Sequence, residues 1–461
     1  MALAIRTRQM ILASAAHAKG GGVKLVNPRI GLVGPSTVEY NHYGAINNSV
    51  YRNYGLASGP FTWALMRDRR AQILIEPKAT GNFIAGDNQG VGGVGGSAYP
   101  AQIAAIKTRF AGVPTNKRMI YYDPGRNDLT DGHDLAYYQT FINRDVADMK
   151  AFGFAKILIG MLFNRDPAYG PPWEEGGVAR ATLAQINNWM TATFGADPDI
   201  KLIDFPSALI DPGTGNPLPG TMRSDYTHLT AKGGDFASVA VSAALAELCD
   251  AVPYPAPGAD NLIAPLSGTG GSKTSVTGTV FDDWTAALTV NTTASVVASQ
   301  VVLDGKSFQR FDISNTTSVP SGGAQLAFTK TTPIAVPANK KIGQRMRVKI
   351  PATNVPYMLF ALLGTSGFSG IPTAARSHAI ASIIDETANT PVEAAGTNFS
   401  GGFKFDGTKD MDLWIETPNF VQADVAGSSI GLALRLFFGN GGAGATLRLD
   451  VGEIQTFDWP T

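Results

Sequence analysis

The sequence predicts two units: an α/β domain built on a doubly wound parallel sheet, then a β-sandwich or jelly roll. Three observations predict this. Up to about residue 250, short apolar runs alternate with stretches of helical spacing. After a Pro-rich and then Gly/Ser/Thr-rich stretch, the pattern becomes short runs in which polar and apolar residues alternate. Glycine supplies 52 of the 461 residues, so turns and tight loops must be frequent.

The first apolar run, Arg29–Val33 (RIGLV), reads as a buried strand that stops at Gly34. Ala71–Glu76 (AQILIE) reads as a second strand. Ile103–Phe110 has helical spacing and leads into a strand, Arg118–Tyr122 (RMIYY). Asp134–Phe152 is helical, with Leu135, Phe141, Val146 and Met149 among its apolar positions. Lys156–Leu162 (KILIGML) is a strand, Leu183–Phe194 a helix, Lys201–Phe205 a strand and Ala231–Leu248 a helix. Strands alternating with helices imply a parallel sheet covered on both faces, because right-handed crossovers place helices there. Ligands of such sheets bind beyond the carboxyl ends of the strands.

Residues 253–258 (PYPAPG) and 267–278 (SGTGGSKTSVTG) have linker composition. Beyond them, Ser299–Leu303, Arg345–Ile350, Tyr357–Leu363, Ile430–Phe438 and Ala445–Val451 read as strands. RMRVKI and TLRLDV alternate polar and apolar, as half-buried antiparallel strands do. The expected division is a leader over 1–27, the α/β domain over 28–252, a linker over 253–278 and the sandwich over 279–461.

Composition excludes several functions. Basic and acidic residues balance at 37 each. Nucleic-acid binding needs a basic surface that displaces counterions, so no nucleic-acid partner is expected. No run reaches the roughly 20 apolar residues of a membrane-spanning helix, so no membrane partner is expected either. The single cysteine, Cys249, cannot form an internal disulfide and reads as a small buried apolar group. Arg6 and Arg8 precede a short apolar run, and residues 16–18 (AHA) resemble a cleavage site. The run is short for a signal peptide, and a flexible or amphipathic leader is the favoured reading.

Four motifs carry chemistry. Gly34-Pro35-Ser36 directly follows the first strand, so Ser36 would present its hydroxyl above the sheet; the alternative is a helix N-cap. Residues 88–93 (NQGVGG) form a glycine-rich loop whose backbone can approach a ligand closely, or a plain surface loop. Residues 125–128 (GRND) place Asn127 at the carboxyl edge of the sheet, as an amide donor or as part of an Asn-Asp turn. Asp225 and His228, three apart before a helix, can set a carboxylate against one ring nitrogen and leave the other for a nucleophile. No further ligands stand at metal-site spacing, and no metal or cofactor is expected.

The order and spacing of these blocks resemble the SGNH subgroup of the GDSL hydrolases, over roughly residues 28–250. The resemblance implies a flavodoxin-like sheet and a serine esterase. It implies Ser36 as nucleophile, His228 as base and Asp225 as its orienting carboxylate. It implies an oxyanion hole made by the Ser36 and Gly93 backbone N–H groups and the Asn127 side chain, with Gly90 as the alternative register. The first block departs from the family, which usually has Gly-Asp-Ser where this chain has Gly-Pro-Ser.

The substrate expected from the resemblance is a short-chain acyl ester, an O-acetyl group on a polysaccharide. Tyr169 and Trp173 in the loop Tyr169–Gly177 are candidates to stack on a sugar ring, and Asn41–Thr62 is a second large loop. Trp284, Trp414 and Trp459 of the sandwich are further candidates, with core packing favoured for at least two. The sandwich is read either as a carbohydrate-binding module or as an assembly module holding a homo-trimer, as in phage tail spikes. An extracellular or virion-associated location follows from that layout. The alternatives are a glycan-binding spike with a decayed esterase site and a lipase or thioesterase on the same scaffold.

Overall fold

The computed structural model describes residues 23–39, 59–73, 75–77, 84–223, 225–251, 262–290, 294–315, 324–335, 341–352, 358–366, 377–381, 384–385, 390–391, 410–416, 420–421, 429–438 and 446–458. Most of the expected leader, most of the loop Asn41–Thr62, residues 253–261 of the linker, Tyr357 and Trp459 lie outside the described residues.

In chain order the α/β domain runs β1 (Arg29–Val33), α1 (Ser36–Glu39), α2 (Pro60–Arg67), the hairpin β2 (Ile75–Pro77) and β3 (Ile84–Gly86), α3 (Tyr99–Phe110), β4 (Arg118–Tyr122), α4 (Asn127–Thr130), α5 (Leu135–Phe152), β5 (Lys156–Gly160), α6 (Val178–Phe194), β6 (Ile200–Ile203), α7 (Phe205–Leu209) and α8 (Ala231–Leu248). Strands β1, β4, β5 and β6 form a parallel sheet in that order. Val33 pairs with Tyr122, Tyr122 with Ile159, and Gly160 with Ile203. On the outer side of β1, Gln72 and Asn88 make single parallel bridges to Arg29 and Leu32. The chain thus steps outward from β1 and then returns past it to β4. That reversal of strand order is the switch point of a doubly wound sheet, and ligand sites form there.

Alternation along the strands sorts side chains into two helical layers. Val33, Ile120, Tyr122, Ile157 and Ile159 pack with α3, α5 and α6 on one face. Ile30, Leu32, Met119, Tyr121 and Leu158 pack with Phe61 and Ala64 of α2, with α7 and with α8 on the other. Each fully buried aliphatic side chain contributes about 1.5–3 kcal/mol. Helix limits follow local chemistry. Asp134 caps α5 by accepting from Tyr137 N, Gly153 ends it in the left-handed region, and Thr230 caps α8 by accepting from Gly233 N. Cys249 is buried after α8, and burial pushes its thiol up to about 12.

Two expectations need correction. Ala71–Glu76 is not one buried strand: Gln72 makes a lone bridge, and Ile75 onward joins the antiparallel hairpin β2–β3. Residues 270–278 are not linker. Gly270–Thr274 and Thr277–Gly278 are edge strands of the sandwich. Composition misled because glycine serves there for close approach: a Cβ on Gly271 would lie 2.1 Å from the Phe281 carbonyl oxygen.

Among the described residues, the sandwich is built on two large sheets, with a further short pair between Ile384–Asp385 and Thr390–Pro391. One orders Met411–Glu416, Lys341–Ile350, Thr446–Asp458, Lys306–Asn315, Ala294–Leu303 and Thr277–Gly278. The other orders Ser377–Ala381, Met358–Ser366, Ser429–Phe438, Ala324–Lys330, Val280–Val290 and Gly270–Thr274. Phe311 and Ile313 of the first sheet meet Phe328, Leu432 and Leu434 of the second in one apolar core. Trp284 stacks on Phe328 at 4.5 Å, and it and Trp414 are buried core residues rather than surface platforms. Trp63 and Met66 of α2 also join this core, which links the two units through one helix.

Gly31 in β1 leaves α3 just enough room, since a Cβ there would fall 2.5 Å from Ile106 Cγ2. Overpacking of this kind costs roughly 1–3 kcal/mol. Gly31→Ala should lower the unfolding free energy by about that amount in urea titration; an unchanged midpoint would contradict this packing.

Candidate active site

The turn after β1 carries Ser36. Gly34 N donates to Gln102 Oε1 of α3 at 2.8 Å, and Pro35 O accepts from Val38 N and Glu39 N. Ser36 is therefore the first residue of α1 rather than its cap, and it is 8% exposed. Its N–H belongs to a first turn, where a helix supplies no internal partner.

Asp123, the residue after β4, supports this turn. It accepts from Thr37 Oγ1 at 2.5 Å and from Gly125 N at 2.8 Å. Burial pushes its carboxyl up, and those two hydrogen bonds pull it down. Gly125 sits at φ +73°, and a Cβ there would lie 2.5 Å from the Tyr99 hydroxyl and 2.9 Å from Pro35 Cγ. Pro35 thus packs on the Asn127 turn. An Asp side chain steadies the Ser36 turn even though the Gly-Pro-Ser block carries none.

The glycine-rich loop is pinned by Asn88. Its Nδ2 donates to Val38 O at 2.9 Å, and its Oδ1 accepts from Gly90 N at 3.0 Å. Gly90 is wedged against the Glu39 backbone, where a Cβ would lie 2.3 Å from Glu39 N. The loop meets Ser36 at Gly92, where a Cβ would sit 3.8 Å from Ser36 Cβ. Gly93 follows at φ +75°. Asn127 opens α4. Its Nδ2 donates to Val94 O at 2.9 Å, and its Oδ1 accepts from Arg165 Nη2 at 3.0 Å. An amide nitrogen carries two hydrogens, so one remains for another acceptor.

Asp225 and His228 stand on the loop before α8. Asp225 Oδ1 accepts from Thr227 N and His228 N, each at 2.9 Å. His228 Nδ1 lies 2.6 Å from Asp225 Oδ2, and His228 Nε2 lies 2.7 Å from Ser36 Oγ. A carboxylate only accepts, so Nδ1 carries the proton and Nε2 accepts from the Ser36 hydroxyl. Burial pushes His228 below the ordinary imidazole value of 6.5, against the opposing pull of the Asp225 carboxylate. The charges of Arg223 and Arg126 add to the lowering.

Sequence reasoning missed two buried arginines beside this loop. Arg126 stacks on Phe163 at 4.0 Å and donates to Phe163 O and Thr227 O. Burial and the Arg165 charge push it down to about 9, which leaves it cationic at neutral pH. Arg165 donates to Thr227 Oγ1 at 3.2 Å and to Asn127 Oδ1, with its guanidinium 4.5 Å from the Tyr169 ring centre. Desolvating such an ion costs several kcal/mol. Hydrogen bonds to a charged group return about 1.5–3 kcal/mol each, ring stacking returns about 0.5–2 kcal/mol, and the nearby Asp225 charge also favours the cations. An Arg in a polar loop carries no sequence signal of this role. Asp123, directly after a strand that ends beside the first, was the more legible omission.

Trp173 corrects an expectation. It is fully buried, and its Nε1 donates to Thr130 Oγ1 at 3.0 Å, so it is a packing residue and cannot stack on a substrate. Tyr169 is 37% exposed. Tyr226, between Asp225 and His228, is 40% exposed at φ +58° and puts a second exposed aromatic residue on the Asp225–His228 loop. Among the described residues, no group of three or more His, Cys, Asp or Glu side chains could hold a metal ion, and no helix is long and apolar enough to cross a membrane.

No protein-family model and no curated protein sequence matches the chain. Solved structures show likeness. A member of the lipolytic G-D-S-L family from Veillonella parvula is 15% identical, covering 47% of this chain and 96% of its own, with a TM-score of 0.34. A carbohydrate esterase family 3 protein from Talaromyces cellulolyticus is 17% identical, covering 48% of this chain and 97% of its own, with a TM-score of 0.31. A structure from work on carbohydrate-binding modules of the β-sandwich superfamily is 10% identical, covering 38% of this chain and 57% of its own, with a TM-score of 0.22.

The direction of the His228 shift sets a pH dependence. Neutral imidazole is the form that accepts a proton, so function is lost as pH falls through the His228 midpoint. The acid limb of kcat/KM for an ester should have its midpoint below 6.5. Asp225→Asn should move that limb to still lower pH and cut kcat by about 10⁴-fold. A limb centred above 6.5 in the parent protein would contradict the assignment.

Proposed function

We propose that the protein is a serine ester hydrolase that removes short acyl groups through an acyl-enzyme. The observation that carries this is the continuous relay from Ser36 Oγ to His228 Nε2 at 2.7 Å and from His228 Nδ1 to Asp225 Oδ2 at 2.6 Å. As Ser36 Oγ attacks the ester carbonyl, its proton passes to Nε2, and Asp225 stabilises the imidazolium. The carbonyl oxygen becomes an oxyanion. The donors assigned to it are Ser36 N–H, an N–H of the glycine loop at Gly93, and the second hydrogen of Asn127 Nδ2. Each is worth about 10²–10³-fold in kcat. Collapse breaks the ester C–O bond, and the imidazolium protonates the leaving alkoxide. Water then attacks the acyl-enzyme, with His228 taking its proton, and releases the acid and Ser36.

The substrate assigned is an O-acetyl ester on a polysaccharide. Support comes from the exposed rings of Tyr169 and Tyr226 beside the triad loop, which suit the apolar face of a sugar, and from the sandwich attached to the α/β domain. In this reading the protein works outside the cell or on a virion. The sandwich serves glycan binding or assembly of a trimer. A decayed site would need the relay to be broken, and its short contacts count against that.

Wild type should hydrolyse p-nitrophenyl acetate faster than longer-chain esters and release acetate from an acetylated polysaccharide. Ser36→Ala should lower both rates by about 10⁴-fold or more. Equal rates for the two proteins would remove Ser36 from the chemistry, and a preference for long acyl chains would favour a lipase instead.

A further inference from the structure

We infer that Arg165, itself anchored on the acid–base loop through Thr227, is a positioning residue for the oxyanion donor Asn127; the inference rests on the esterase reading above. Arg165 is 4% exposed and carries only donors. Its Nη2 donates to Asn127 Oδ1 at 3.0 Å, and its Nη1 donates to Thr227 Oγ1 at 3.2 Å. The first bond removes the ambiguity of the Asn127 amide. Oδ1 must face the guanidinium, so the nitrogen must face the site, and Val94 O holds it there through one of its hydrogens. The second bond reaches the acid–base loop, because Thr227 Oγ1 donates to Asp225 O at 3.1 Å and Thr227 N donates to Asp225 Oδ1. One planar fork therefore spans the Asn127 turn and the Asp225–His228 loop, which are far apart in the chain. The rings of Tyr169 at 4.5 Å and Trp173 at 5.3 Å hold the plane of the fork.

Charge adds to geometry. A cation on Oδ1 polarises the amide and strengthens Nδ2 as a donor, and this gain is largest when the oxyanion forms. Loss of Arg165 should therefore act on kcat rather than KM. Lysine keeps the charge but not the fork, so Arg165→Lys should recover little.

The test uses full-length protein and p-nitrophenyl acetate, with circular dichroism confirming the fold of each variant. Asn127→Ala should lower kcat by about 10²–10³-fold. Arg165→Met should lower kcat at least tenfold, with KM within about twofold of wild type. The double variant should be no slower than Asn127→Ala alone, within about twofold, because Arg165 acts through Asn127. Should Arg165→Met not fold, Arg165→Lys, which keeps the charge but not the fork, should show the same non-additivity with Asn127→Ala. Multiplied losses in the double variant, or a loss confined to KM, would overturn the inference while leaving the esterase reading intact. Activity that survives Ser36→Ala would overturn both.

Discussion

The Asp225 carboxylate accepts from Thr227 N, His228 N and His228 Nδ1 at 2.6–2.9 Å. These bonds bend the chain just before α8 into a tight loop and set the imidazole plane. They also decide the tautomer, and with it the direction of the hydrogen bond at Ser36. Without this carboxylate the imidazole would lose the bond that selects Nδ1 as its protonated nitrogen. The Ser36 turn, the glycine loop and the Asn127 turn converge on the side of the sheet where that ring is held.

Each partner is tied at the carboxyl edge of the sheet by buried polar contacts as well as by apolar packing of Val38, Leu129 and Leu229. Asn88 fixes the glycine loop to the end of α1, Asp123 joins the turns after β1 and β4, and Arg126 and Arg165 grip Thr227. Apart from Gly125 N to Asp123, these bonds join segments well separated in sequence. A buried network of this kind is worth keeping only when it is well satisfied, and removing one member exposes a neighbouring dipole or charge to an apolar interior.

Strands β1, β4 and β5 were legible because each is a continuous apolar run closed by a turn signal, which is what a strand covered on both faces requires. The start of α8 was legible for a similar reason, since Thr230 precedes the helical pattern as a cap should. That the fold brings Ser36, Asp225 and His228 together was legible from local motifs, a Ser at a strand end and an Asp three residues before a His. Residues 270–278 were not, because edge strands that need close backbone approach use the same Gly, Ser and Thr as a linker. Trp173 misled because a Trp in a Pro/Gly loop looks exposed, whereas the loop folds it against α4 and α6. Arg126 and Arg165 were invisible because their partners are mostly backbone oxygens and side chains that only the fold brings near.

The central claim is that Ser36 is a nucleophile activated by His228, and covalent capture tests it most directly. The protein should be incubated with a fluorophosphonate that phosphonylates activated serines and then mapped by peptide mass spectrometry. A single adduct on Ser36 is predicted, absent in Ser36→Ala and formed at least 10³-fold more slowly in His228→Ala, on the scale of losing a triad member. No adduct, an adduct on another residue, or equal labelling in His228→Ala would contradict it.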